Sequence, residues 1–507
     1  MSAARADAAR TPLKDERTRP MRIIRDEIAL PRRELFVDGA WIAAETAREI
    51  LDPATGAVVA SVAQAGPAET ELAIAAARRA FDDGIWPGLP PRERGRILLR
   101  AAETLRGQAE ELAGLESLDT GKPLMFTRMV DVATTIDQIE YYGALAAGIE
   151  GATRRTGRPS FAYTRREPIG VVAAITPFNF PLILSSIKIA PALAAGNTVI
   201  HKPAEETPLS ALRIAEVLQE AGIPDGVFNV LPGDGSVGRT LVRDPRVDKI
   251  AFTGSTAVGR GIAAAAAETL KHVTVELGGK SANIVFADAD LEAAISTAIS
   301  GFVFNTGQFC MAGSRLLVQR PVYDEVVAAL AGAIGHVPVG DPFDEGTVIG
   351  PMAGPRHLAK VQSFLERADQ GGAKVYGGGS VGGQAGGGFW AAPTVLADVS
   401  QDSTFVQDEI FGPVLTVQPF DTEDEAIALA NGTQYGLAAG LQTRDIARAH
   451  RVADKLRAGI VWVNGWALLD AALPFGGVNQ SGYGREGGPE GLDEYLQTKS
   501  VIISMPS

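Results

Sequence analysis

An α/β fold built on parallel, doubly wound sheets is predicted by three observations. From residue 170 onward, short runs rich in β-branched and apolar residues lie at 171–175, 198–201, 227–231, 249–253, 272–276 and 283–286. Helical apolar spacing separates them, as at 209–221 and 258–270. Strand and helix in alternation are the mark of a parallel sheet with helices on its faces. The third observation is size: 507 residues, 46% hydrophobic and 21% charged, are enough for about three folding units with large cores. Such sheets bind ligands beyond the carboxyl ends of their strands.

The elements follow in order. Residues 1–30 mix Arg5, Arg10, Arg17, Arg19 and Arg22 with Asp7, Asp15 and Glu16 and carry no apolar run, which reads as a polar tail rather than a secretory signal. Residues 35–41 read as a strand and tight turn, and 57–62 as a second strand. Apolar residues three and four apart, such as Leu98, Ala101 and Leu105, make 68–150 helical. A second α/β block runs from about 290 to 480, and the glycine-rich patch at 377–388 reads as a surface loop. The longest apolar stretch, 169–200, is broken by Pro177, Pro181, Lys188 and Pro191, so no membrane span is expected.

Composition excludes some functions. A net charge of -13 repels phosphate backbones, so no nucleic-acid partner is expected. Cys310 is the single cysteine, which rules out a disulfide within the chain and suits a reducing, cytoplasmic location. The five histidines are scattered, and no metal site is expected.

Six short segments carry candidate chemistry. Gly-Asp-Gly-Ser-Val-Gly at 233–238 is a literal dinucleotide-type glycine pattern, but the next strand lacks the acid that usually accompanies it, and a tight turn explains it equally. Phe-Thr-Gly-Ser-Thr-Ala-Val-Gly at 252–259 follows a strand and opens a helix, whose free N–H groups suit an anion or a plain N-cap. Lys202 and Glu205 at a strand end suit a ribose diol or a solvated loop pair. Cys310 lies in Gly-Gln-Phe-Cys-Met-Ala-Gly-Ser at 307–314 and reads either as a nucleophile or as a small buried apolar group. Glu276 precedes Leu-Gly-Gly-Lys at a strand end, facing a cleft or capping a surface turn. Asn179 sits between Pro177 and Pro181, as an amide donor on a stiff loop or an ordinary turn residue.

Together with Glu-Ile-Phe-Gly-Pro at 409–413 and Pro-Phe-Gly-Gly at 474–477, all of these segments except 233–238 stand in an order that resembles the aldehyde dehydrogenase superfamily over about residues 30 to 505. The resemblance implies a Rossmann-type cofactor domain (31–149 and 170–278), an α/β catalytic domain (279–482), and a small β element that bridges subunits (150–169 and 483–507). It implies Cys310 as the nucleophile that passes through a thiohemiacetal and a thioester. Asn179 and the Cys310 N–H become the oxyanion donors, Glu276 the general base, and Lys188 a further member of the catalytic group. The cofactor would be NAD. Lys202 and Glu205 would hold its adenosine ribose, Gly254, Ser255 and Gly259 its pyrophosphate, and Glu409 with Phe411 its nicotinamide ribose. Ile175, Thr176, Pro177, Leu277 and, as a minor member, Gly235 complete that set. Glu205 favours NAD over NADP, because a carboxylate repels a 2′-phosphate.

By the same resemblance the aldehyde tunnel consists of Phe180, Leu184, Ile187, Phe304, Phe309, Met311, Leu469 and Phe475. Its apolar character points to an aliphatic or aromatic aldehyde. A betaine-type or semialdehyde substrate is the alternative; Ile187 and Leu469 weaken the first and the lack of a tunnel arginine the second. Readings of another class are a cysteine esterase and a structural homologue without activity. A homodimer or homotetramer is expected.

Overall fold

The computed structural model describes residues 23, 25–370, 372–379 and 387–505; most of the polar tail and of the glycine patch lie outside them. The expected α/β class is found, and it takes the form of two large sheets. The first has eight strands in the order Gly482–Tyr483, His272–Glu276, Lys249–Thr253, Val171–Ile175, Thr198–Lys202, Phe228–Val230, Leu35–Val37, Ala40–Ile42. The five strands from His272–Glu276 to Phe228–Val230 are parallel, and the flanking ones are antiparallel.

The central strands Val171–Ile175, Thr198–Lys202 and Lys249–Thr253 are buried along their whole length. This is why they read as continuous apolar or β-branched runs rather than as alternating ones. Val171–Ile175 is the first of the five parallel strands in sequence and has its successors on opposite sides, so the winding reverses beside it. The reversal opens a crevice at the carboxyl ends of Val171–Ile175 and Lys249–Thr253.

The second sheet has seven strands, Lys374–Gly377, Thr394–Ala397, Val414–Phe420, Arg315–Gln319, Ala282–Val285, Ala438–Gln442 and Ile460–Val463, all parallel except the first. Helices pack against both sheets in separate apolar clusters, one joining Val285, Leu316 and Val417 to Leu330, another joining Val172 and Val199 to Leu212. The helical region before residue 150 resolves into Pro67–Asp82, Pro91–Gly107, Ala109–Thr120 and Ala133–Leu145, with a π-helical turn at Thr127–Val132.

A third sheet pairs Ser160–Pro168 with Leu496–Ser504 over nine residues, antiparallel, and leaves Phe161, Ile502 and Ile503 exposed. The chain before residue 31 is partly docked: Arg25 pairs with Asp52 at 3.2 Å and Asp341 at 2.7 Å, and Ile23 and Ile28 pack on the core. Among the described residues no helix is long and apolar enough to cross a membrane, and no group of His, Cys, Asp and Glu could hold a metal.

Candidate active site

A cavity of about 890 Å³ lies at the winding reversal of the first sheet. Parallel register brings the ends of four strands to one edge: Ile175 is level with Lys202 and Phe252, and Thr253 with Glu276. Ile175, Thr176, Pro177, Lys202, Glu205 and Gly235 line the cavity, as do Gly254, Ser255 and Leu277. Glu409, Phe411, Asn179, Leu184 and Cys310 join them from the other side. Ser255 caps the helix Thr256–Ala266 by accepting from the Val258 N–H, and Ser255 and Val258 both line the cavity, so the helix begins at its wall. Gly259 is buried in that turn and does not line the cavity; a Cβ there would stand 2.3 Å from Leu277 Cδ2, so its role is close packing.

At the far end from Cys310, Glu205 is not free. Arg48 Nη1 donates to its Oε2 at 2.6 Å, an ion pair that is 28–42% exposed. Nothing in the sequence signals Arg48, which arrives from a separate two-stranded hairpin. Arg239 and Arg243 also line this end. Lys202 is largely buried, its amine pushed below the usual range by desolvation, and its Nζ donates to the Pro203 carbonyl at 3.0 Å. A ribose diol and a diphosphate fit this set: one carboxylate oxygen, two or more cations and a helix N-terminus.

The cysteine end is assembled by loops of the second sheet. Asn305, Thr306 and Gly307 take left-handed backbone angles (φ 49°, 55° and 70°), and a Cβ on Gly307 would stand 2.1 Å from the Gly412 carbonyl oxygen. This contorted turn is fixed by hydrogen bonds. Asn305 Nδ2 donates to the Asn179 carbonyl at 2.9 Å, Thr306 to the Gly350 carbonyl at 2.9 Å, and the Ala353 N–H to Gln308 Oε1 at 2.9 Å. Asn179 Nδ2 donates to the Gln308 carbonyl at 2.8 Å, so one of its two hydrogens is already used and the other is left for a ligand. The Asn179 loop and the Cys310 loop are thus one hydrogen-bonded unit.

Burial dominates the electrostatics here. It pushes the Cys310 thiol well up, with the Glu409 and Glu276 charges adding to the effect. It likewise raises Glu409, whose Oε1 accepts from the Gly279 N–H at 2.9 Å. Glu276 is 2% exposed and raised well above the carboxylate range, first by burial and then by the Glu486 charge. Its Oε2 accepts from the Gly477 N–H at 3.2 Å, and its Oε1 has no partner. In this rotamer Glu276 faces the loop at 476–477 and is not in the cavity wall. Lys188 is also absent from the wall. It is fully buried behind it, donates to Thr253 Oγ1 at 2.7 Å and is paired with Glu486, a residue that no sequence motif singled out.

Beyond Cys310 an apolar cluster gathers Phe180, Leu184, Ile187, Phe309, Met311 and Phe475, with Phe304 and Trp466 at its margin. The Phe180, Phe304 and Phe309 ring centroids lie 5.4–5.9 Å apart. Met311 is 2% exposed and fills the cluster's interior rather than the cavity surface. Leu469 stands apart: it is 49% exposed and not in the cluster. Phe126, which the sequence reading missed, meets Phe304 edge-on at 5.1 Å. Lys122 Nζ lies 3.7 Å from the Phe180 ring centroid, so one face of that ring already holds a cation.

The aldehyde dehydrogenase family model matches residues 41–501. A betaine aldehyde dehydrogenase of Rhizobium leguminosarum bv. trifolii is 45% identical over 481 residues, covering 94% of this chain and 98% of its own length. A putative aldehyde dehydrogenase of Burkholderia cenocepacia, solved by crystallography, is 43% identical, with a TM-score of 0.91 over 94% of this chain and 98% of that one. A betaine aldehyde dehydrogenase of Staphylococcus aureus, solved in complex with NAD+, is 38% identical, with a TM-score of 0.93 over 95% and 96% of the two chains. The matching ends of fold, cavity and cysteine loop therefore have one explanation: the chain belongs to the aldehyde dehydrogenase family.

Proposed function

We propose that this chain oxidises an aldehyde to its carboxylic acid with NAD, through Cys310. The observation that carries the reading is the joining of the only cysteine to Asn179 through the Gln308 carbonyl, at the inner end of a cavity shaped for a dinucleotide. The Cys310 thiolate attacks the aldehyde carbon, and the second hydrogen of Asn179 Nδ2 with the Cys310 N–H holds the oxyanion; one such donor is worth about 3–4 kcal/mol. NAD, when bound, supplies the hydride acceptor. Glu276 then takes a proton from the water that attacks the thioester, which requires its side chain to turn from Gly477 toward Cys310. Burial disfavours the charged form of both groups, which raises the cost of forming the thiolate and of keeping the Glu276 carboxylate. Lys188 and Glu486 act as positioning residues: the Lys188 charge lowers Glu276 and the Glu486 charge raises it. A hydrolytic enzyme keeps such a base, so water rather than coenzyme A is the acceptor, and net oxidation sets this reading apart from a cysteine esterase.

For the substrate, the relatives named betaine aldehyde dehydrogenase favour an aldehyde bearing a quaternary ammonium group, for which the aromatic cluster of Phe180, Phe304, Phe309, Phe475 and Trp466 next to Cys310 offers cation–π partners. An apolar aliphatic or aromatic aldehyde is the second reading, favoured by the aliphatic side chain of Ile187 within the cluster. NADH formation at 340 nm with betaine aldehyde, hexanal and benzaldehyde separates them. A kcat/KM for betaine aldehyde at least tenfold above the others supports the first reading, and the reverse order supports the second. NAD is the preferred cofactor, although the Arg48 pair draws Glu205 partly away and softens the preference. We further propose a cytoplasmic homodimer or homotetramer, its subunits joined through the exposed edge strand Leu496–Ser504, where Ile502 and Ile503 are 67% and 51% exposed. A monomer in light scattering would refute it.

A further inference from the structure

Trp466 follows the strand Ile460–Val463, and its indole packs into a cradle of glycines. Its Nε1 donates to the carbonyl of Met311, the residue after the cysteine, at 3.1 Å. A Cβ added to Gly440, Gly313 or Gly301 would stand 2.7, 3.1 or 3.2 Å from an indole carbon. These glycines come from the strand Ala438–Gln442, the cysteine loop and the helix Leu291–Val303. None of the three has a positive φ, so it is the indole and not the backbone that leaves no room for a side chain. The Trp462 ring, 5.0 Å away between centroids, adds a further wall. The loop that carries Trp466 is itself held in a strained form. Asn464 and Ala467 take left-handed angles (φ 55° and 58°), which persist only where surrounding contacts fix them. Asn464 exchanges two hydrogen bonds with the Thr443 backbone at 2.9 and 3.0 Å, and Trp462 Nε1 donates to the Leu468 carbonyl at 2.9 Å.

We propose that Trp466 is a positioning residue for the nucleophile: its indole N–H anchors the Met311 carbonyl and thereby fixes the turn that presents the Cys310 sulfur. That turn runs from Phe309, whose carbonyl accepts from the Ala312 N–H at 2.9 Å, to Gly313, whose N–H donates to the Gly301 carbonyl at 3.0 Å. Burial, then the Glu409 and Glu276 charges, push the Cys310 thiol up, and the Met311 and Cys310 N–H groups push it down. Those N–H groups favour a thiolate only while the turn keeps them aimed at the sulfur. Anchoring the Met311 carbonyl limits rotation of the neighbouring peptide groups, so the aim is kept. This role rests on Cys310 as the nucleophile and is independent of which aldehyde it attacks.

Trp466→Phe keeps an aromatic ring and removes the N–H. Because Cys310 is the only cysteine, iodoacetamide reports on its sulfur in the free enzyme, with no aldehyde present. Alkylation at pH 8 is expected to slow about fivefold, the worth of one hydrogen bond, and its pH profile to move to higher pH. The NADH burst is expected to fall by a similar factor with each aldehyde that the wild type oxidises, with KM little changed, because the defect lies in the sulfur and not in a substrate contact. Alkylation at the wild-type rate overturns the proposal; paired with a loss confined to one aldehyde, it makes Trp466 a substrate wall only. Should Trp466→Phe not fold, Gly440→Ala leaves the N–H in place and crowds the ring from the strand side. It is expected to slow alkylation in the same direction, and an unchanged rate overturns the proposal as well. Alkylated wild type that still forms NADH would remove Cys310 as the nucleophile, a result distinct from the others, and this role of Trp466 with it.

Discussion

The two large sheets are built alike, from buried parallel strands between helices, yet they meet the cavity with opposite ends. The first sheet offers its carboxyl edge, where Ile175, Lys202, Thr253 and Glu276 terminate their strands. The second offers loops at its amino edge: Gly278 precedes the strand Ala282–Val285, Cys310 precedes Arg315–Gln319, and Glu409 with Phe411 precedes Val414–Phe420. The carboxyl-end rule for open α/β sheets therefore describes only half of this site. The first sheet supplies a crevice at its winding reversal and a helix N-terminus, which suit a long anionic ligand. The second supplies turns forced into close contact, which suit exact placement of a few reacting atoms.

This contrast can be broken by substitution. Cys310→Ser should lower kcat by at least about 10³-fold while leaving NADH binding, read by fluorescence, within about twofold of wild type, since it removes only the nucleophile. A large loss of NADH affinity would mean that the second sheet's loops bind as much as they react. Glu276→Gln should cost about 10²–10⁴-fold in steady state while the single-turnover burst of NADH persists, because addition of the sulfur to the aldehyde and loss of hydride to NAD precede its role. Absence of the burst would assign Glu276 to the first half-reaction.

Glu205→Gln tests the first sheet alone. It should raise kcat/KM with NADP about five- to tenfold relative to NAD by removing a partly exposed negative charge. Arg48→Gln should instead weaken NADP use, since it leaves Glu205 unopposed. No change in either ratio would detach this end of the cavity from cofactor choice. The smallest effect is expected from Lys188→Met. Losing a cation that lowers Glu276 raises the base further, so the acid limb of the kcat–pH profile should move to higher pH, with activity recovered at high pH. A pH-independent loss would mean that Lys188 serves folding only.

The central strands were legible because burial on both faces leaves a continuous apolar signature, and their observed bounds, such as Lys249–Thr253 and His272–Glu276, match the expected ones. Much of the cavity lining, such as Lys202, Glu205, Gly254 and Ser255, was legible as short segments at strand ends. Gly259, Met311 and Leu469 show the limit of matching by position: the motif gives the place along the chain, whereas packing decides which way a side chain faces and how exposed it stands. Arg48, Glu486 and Phe126 had no local signal at all, because each is tied to the site by a partner more than 150 residues away.

By itself, the sequence determined the α/β class, the single possible thiol nucleophile, and the order of the loops that carry chemistry, since these follow from periodicity and residue type. Tertiary structure alone decided that Arg48 pairs with Glu205, that Glu276 rests against Gly477, and that burial pushes Cys310 and Glu276 above their usual ranges. Protonation and pairing depend on which charges and how much water surround a group, and those neighbours come from distant parts of the chain that only folding brings together.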